Sequence, residues 1–95
     1  MGTEIMNTLD ALAVATFIDI GKQTDKSGDV LRAEDYYKRA VRAAETIYGP
    51  YHGETGCVLM RLANFYRRHG KTAQAVEVET RIGEIVNVYE HDQGI

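Results

Sequence analysis

The chain has 95 residues, a formal net charge of −3, 44% hydrophobic residues, one proline and one cysteine. That length makes one domain with a modest core, and a single Cys57 excludes an internal disulfide, so a cytoplasmic protein is expected. The longest apolar run, Ala11 to Ile18, lacks the flanks of a signal peptide and is far short of the ~20 residues that cross a bilayer, so no membrane partner is expected.

Residues 1–7 read as a lead-in, without the Ser or Thr at position six that lipidation of Gly2 needs. The first helix is predicted from about Thr8 to Lys26. Leu9, Leu12, Ala13, Phe17 and Ile20 form its main apolar face, and Val14 and Ile18 add apolar surface on another side. A helix with two apolar sides in a small protein is covered by more than its hairpin partner. Ser27-Gly28-Asp29 breaks the pattern, and Asp29 can cap the next helix.

The second helix is predicted to run to Tyr48. Ala33, Tyr37, Ala40, Val41, Ala44 and Ile47 form its buried stripe, and Asp35 stands three and four residues from Arg32 and Arg39 on a solvated face. Gly49-Pro50-Tyr51-His52-Gly53 ends it, since Pro50 cannot continue a helix, and makes an antiparallel connection.

The third helix is predicted from Glu54 to His69, with Val58, Leu59, Leu62, Ala63 and Tyr66 inside. The fourth is predicted from Thr72 to Glu90, with Ala75, Val78, Ile82, Ile85 and Tyr89 on one stripe and Val76, Val86 and Val88 beside it. Residues 53–72 carry about +3 and residues 73–95 about −4. A basic third helix therefore faces an acidic fourth, either as two solvated faces or as a basic groove for an acidic ligand.

The two halves repeat each other at a spacing of 42 residues. Phe17, Ile20, Gly21, Thr24 and Gly28 fall opposite Leu59, Leu62, Ala63, Tyr66 and Gly70. Ala33, Tyr37 and Ala40 fall opposite Ala75, Glu79 and Ile82. Gly21 and Ala63 are small enough to admit a neighbouring helix, and Gly28 and Gly70 can take the left-handed conformation that ends one.

This pattern resembles the tetratricopeptide repeat. The period and the GPYHGET stretch from Gly49 to Thr55 are similar to the longer repeats of the kinesin light chain type, and Gly49 to Ala75 carries most of the likeness. Thr24 and Glu79 depart from it, standing where the family has aromatic residues. The resemblance implies an all-α fold of two tandem helix-turn-helix hairpins, four main helices in all, forming a fragment of a right-handed superhelix. Repeat one would cover about residues 8–48, the linker 49–53 and repeat two about 54–91. An ordinary four-helix bundle of the same hairpins stays open at this point.

The search for chemistry yields no catalytic residue. Cys57 follows His52 by five residues near a helix start, where a thiol can be activated, but no orienting group or oxyanion hole accompanies it. His52 with Glu54 and His91 with Asp92 are two-ligand fragments, whereas a closed metal site needs about four ligands. No phosphate loop is present, and neither a cofactor nor a metal is implied. Arg67, Arg68, His69 and Lys71 cluster at a helix C-terminus, where basic residues are favourable with the dipole, so nucleic acid is not expected.

The family lines its concave surface with the first helix of each unit. That implies a protein-interaction module, not an enzyme, with Ile18, Asp19, Lys22, Met60, Arg61, Asn64 and Arg68 in the groove. Lys26 faces the same way. Arg61 and Arg68 would anchor an acidic peptide or protein segment. Two stacked units are fewer than such arrays usually need, so self-association is expected through Val14, Ile82, Ile85, Val86 and Tyr89. The alternative is a structural homodimeric helical bundle with no separate ligand.

Overall fold

The computed structural model describes the backbone of residues 2–93 and the side chains of residues 10–88. It contains α1 (Gly2–Lys26), α2 (Val30–Tyr48), α3 (Gly53–Arg68) and α4 (Thr72–Gln93). The expected boundaries of α2, α3 and α4 hold to within three residues, while α1 starts six residues before Thr8.

The 42-residue repeat appears as repeated backbone chemistry. After α1, Gly28 at φ 88° lets its N–H bond to the Asp25 carbonyl, and the Asp29 N–H bonds to that of Thr24 at 3.0 Å. After α3, Gly70 at φ 69° bonds to Arg67, and the Lys71 N–H to Tyr66 at 2.9 Å. Each bond recurs 42 positions on. Asp29 caps α2, accepting the Arg32 N–H on its side chain.

Each helix packs chiefly against the next in the chain, α1 on α2, α2 on α3 and α3 on α4. A closed bundle would bring α1 against α4. Here the Cα atoms fill a slab of 44 × 35 × 13 Å, the shape of hairpins laid side by side.

The α2 stripe is buried as expected at Ala33, Tyr37, Ala40, Val41 and Ala44. Gly21 explains how α1 comes so close. A Cβ there would lie 3.2 Å from the Tyr37 ring, so the ring rests on bare backbone.

The α3 helix is buried on two sides, because it meets α4 within its hairpin and α2 across the linker. Its core therefore includes Thr55, Gly56 and Phe65 besides the expected five residues. The fully buried Phe65 ring stands 5.3 Å from that of Tyr37 and forms the centre of the joint between hairpins.

Three expectations are corrected. Leu12, assigned to the main face of α1, is 58% exposed, while Val14 on the supposed second side is buried. The α1 surface that matters is set by α3 as well as α2, and Val14 packs into the hollow that Val58 also lines. Ile85, assigned to a self-association face with Val14, is likewise buried. It packs over Gly56, where a Cβ would lie in ordinary contact 3.6 Å from its Cδ1. Ile82 is partly buried against the core, Val86 is exposed, and the Tyr89 side chain lies outside the described residues.

Candidate functional site

The inner face of the slab is framed by α1 on one side and α3 on the other. Lys22, Asp25 and Lys26 from the last turns of α1 meet Arg61, Asn64 and Arg68 from α3 around a cavity of about 310 Å³ floored by Tyr37. The α3 residues fall at spacings of three and four, one stripe of a helix. A second hollow of about 260 Å³ shares Arg61 and is mostly apolar, lined by Val14, Ile18, Val58, Tyr48 and Cys57 among others. The two form one groove, cationic at one end and apolar at the other.

Of the seven residues assigned to this surface, Lys22, Arg61, Asn64 and Arg68 share the cationic hollow. Ile18 lies in the apolar one. Met60 turns to a third cleft of about 190 Å³ with Ala63, Asn64, Glu79 and Ile82, on the α4 side of α3. Asp19 is exposed and lines none of these.

Charge pairing sets the cationic hollow apart. Seven of the eleven Lys and Arg side chains make ion pairs within the chain: Arg32, Lys38, Arg39, Arg67, Arg68, Lys71 and Arg81. Among the described residues the cations left without an acidic partner are Lys22, Lys26, Arg42 and Arg61, and three of these four line this one hollow. A larger hollow of about 810 Å³ lies on the opposite side between α2 and α4, but ion pairs occupy much of its wall. Arg81 reaches across it to Glu45, and Glu34 is held by Lys38, Lys71 and the Tyr66 hydroxyl.

Asp25 is the acid in the cationic hollow, and sequence reading missed it. Its carboxylate accepts from Arg68 Nη2 at 2.9 Å and meets His69 Nε2 at 2.6 Å. Burial pushes this carboxyl up, but the bonds from Arg68 and His69 outweigh it and hold it below its ordinary value. The same balance acts at Glu34, where burial is outweighed by the Tyr66 hydroxyl and Lys71. Tyr66 is pushed up in turn, by burial and by Glu34.

The linker that joins the hairpins is pinned by side chains. His52 caps α3, its Nδ1 accepting the Glu54 N–H at 3.0 Å, and its ring stacks 5.2 Å from Tyr48. Thr55, fully buried, donates to the Gly49 carbonyl at 2.7 Å with the Ala44 carbonyl at 3.3 Å. The signal for Thr55 was available: a hydroxyl in the first turn after a Gly-Pro break faces the orphan carbonyls of the preceding helix. Among the described residues no group of His, Cys, Asp and Glu is placed to hold a metal.

A family model for the tetratricopeptide repeat matches residues 8–84. The chain belongs to the tetratricopeptide repeat family. No match was found among curated proteins or among solved structures. Such repeats typically serve as modules of protein–protein interaction, built as the two hairpins here are built. The two departures from the repeat pattern have local explanations. Glu79 takes two hydrogen bonds from the Arg67 guanidinium, at 2.6 and 3.0 Å, in place of an aromatic contact. Thr24 turns its hydroxyl back to the Ile20 carbonyl at 2.8 Å. In the search among the described residues no helix is long and apolar enough to cross a membrane.

Proposed function

We propose that this tetratricopeptide repeat protein binds an acidic segment of a partner protein in the groove between α1 and α3. The observation that carries the reading is the gathering of Lys22, Lys26 and Arg61, three cations without an acidic partner among the described residues, around one hollow of a chain with net charge −3. Unpaired cations converging on a concave surface raise the local concentration of acidic ligands and offer charge-assisted hydrogen bonds. The Asn64 amide can bond the ligand backbone, and the neighbouring hollow with Ile18 and Val14 takes an apolar side chain. The ligand is therefore an extended or helical segment with acidic residues beside a bulky apolar one. We place this activity in the cytoplasm, where an exposed single thiol such as Cys57 stays reduced.

Fluorescence anisotropy with a labelled glutamate-rich peptide carrying one leucine tests this, with a lysine-rich peptide as the control. Binding of the acidic peptide alone, weakened by salt and by combined Lys22→Ala, Lys26→Ala and Arg61→Ala substitution, is expected. Equal binding of both peptides, or no effect of the triple substitution, sinks the reading.

A second reading concerns the outer face of α4. Val76 and Val86 are 48–49% exposed there, and we infer that this face meets another copy of the chain. Solution mass that rises with protein concentration supports it, and one chain's mass at every concentration refutes it.

A further inference from the structure

The chain contains one joint between units, α3 on α2, and the 42-residue repeat shows what each half of that joint looks like when left open. Ala40 and Ala44 of unit one are fully buried, and the Ala44 carbonyl lies against Thr55 of α3. Their counterparts in unit two, Ile82 and Val86, are partly buried and 48% exposed. At the other end, Phe17 and Ile20 of α1 are only partly buried, whereas their counterparts Leu59 and Leu62 in α3 are buried. One end of the chain thus presents the surface that α3 docks on, and the other presents the surface with which α3 docks.

We propose that copies associate head to tail, α1 of one copy docking on α4 of the next as α3 docks on α2 within the chain. The proposal rests on the reading of α4 as a self-contact face and adds its partner surface and register. Each contact of the internal joint maps to a contact between copies by moving the α2 residue forward 42 positions and the α3 residue back 42.

The ring contact of Tyr37 with Phe65 maps to Glu79 with Gln23, a carboxylate opposite an amide donor. The contact of Ala44 with Thr55 maps to Val86 with Ala13, which is apolar. The bond of Glu34 with Tyr66 maps to Val76 with Thr24. Thr24 has already turned its hydroxyl back onto its own helix, so it offers Val76 a methyl group. All three mapped pairs are chemically matched, and all six residues are exposed or partly so. At Val86 and Ala13 one member has gained bulk where the other has lost it, and at Glu79 and Gln23 two polar chains replace two rings.

One contact does not map favourably. The ion pair of Asp25 with Arg68 becomes Arg67 opposite Lys26, two cations. The Arg67 charge is compensated by Glu79 within its own copy, so the mismatch weakens the joint without closing it off. It also supplies a gain-of-function test. A joint between two different surfaces leaves a new free end on each added copy unless its rotation closes a ring, and a joint that repeats the superhelical step between units extends the chain of copies instead.

The experiment is sedimentation of the full chain over a wide concentration range. Mass is expected to rise from that of one chain, 10.6 kDa, without a plateau. Val86→Glu, at an exposed position, should stay at one chain's mass while circular dichroism reports an unchanged fold. Mixed in small amounts with the unaltered protein, that variant should lower the average mass, because its intact α1 still caps growing ends. Lys26→Asp should restore the missing ion pair and shift association to concentrations about fivefold lower, the scale of one favourable exposed charge pair. A plateau at two chains, untouched by Lys26→Asp and by trace Val86→Glu, overturns the head-to-tail arrangement and leaves self-association standing. A single chain's mass throughout overturns both.

Discussion

Asp25 and Arg68 are 43 residues apart in the chain and 2.9 Å apart in space, and with His69 they tie the end of α1 to the end of α3. Those two helices have little other direct contact, since α1 packs mainly on α2 and α3 divides its packing between α4 and α2. The tie therefore sets the width of the groove at its cationic end. It also means that Arg68, although exposed, already has a carboxylate.

For ligand binding this separates two arginines that the sequence treats alike. Arg61 stands between the cationic and apolar hollows with no acidic partner among the described residues, and Arg68 is compensated by Asp25. Arg61→Ala is expected to weaken binding of the acidic peptide by about 1 kcal/mol or more, near a fivefold loss. Arg68→Ala should cost less affinity and instead lower thermal stability. Titration of both variants with the same peptide checks this, and equal losses of affinity would mean that Asp25 does not screen Arg68.

Two glycines in helices should respond to substitution in opposite directions. At Gly21 the Tyr37 ring lies where a side chain would go, so Gly21→Val should destabilise by about 1–3 kcal/mol through overpacking. At Gly83 nothing lies within 4 Å of a Cβ. Gly83→Ala should stabilise α4 by about 0.5–1 kcal/mol, since it removes backbone freedom from the unfolded chain and improves helix propensity. Urea unfolding of both variants reads the signs, and a neutral Gly21→Val would show that α1 can move away from α2 without cost.

Thr55 tests whether the linker is held by its hydroxyl or by shape. Thr55→Val keeps the volume at this fully buried position but takes the 2.7 Å donor from the partly buried Gly49 carbonyl, leaving it the longer bond from the His52 N–H. The expected loss is about 1–3 kcal/mol in denaturant unfolding. A loss below about 0.5 kcal/mol, within the range of an ordinary surface change, would assign the linker's hold to His52 and Tyr48 instead.

The elements of this fold were legible because their signals are local. Periodicity placed the α2 stripe, Gly28 and Gly70 placed the breaks, the 42-residue overlay gave two hairpins, and only the family resemblance implied that they stand in tandem. The joint between hairpins was not legible to the same degree. A single stripe per helix captures one buried face, whereas α3 has two, so Phe65 fell outside its predicted core. Val14 and Ile85 were sent to the surface because the second apolar sides of α1 and α4 were assigned to another copy, whereas both residues are buried within the chain. The cationic residues of the groove were found through the family's concave stripe, but Asp25 was not. Nothing near Asp25 in the sequence marks it, and its partners lie one unit away.

The depressed carboxyls of Asp25 and Glu34 give stability a pH dependence of definite sign. Both groups ionise more readily folded than unfolded, from ordinary values of 3.8 and 4.5. The unfolded chain therefore binds more protons in that range, and stability rises with pH. Their contribution is fully present above the unfolded values and is lost as pH falls through the lower folded ones. Melting temperature should be flat above the ordinary carboxyl values and fall as pH drops through and below them. Exposure of Arg68 and Lys38 keeps each group's share near 1 kcal/mol. Asp25→Asn with Glu34→Gln preserves an acceptor for Arg68 and Tyr66 but removes both titrations. The double variant should melt lower than the unaltered protein at neutral pH and lose less on acidification, so that the two curves converge at low pH. Parallel curves would mean that other carboxylates, not these two, govern the acid limb.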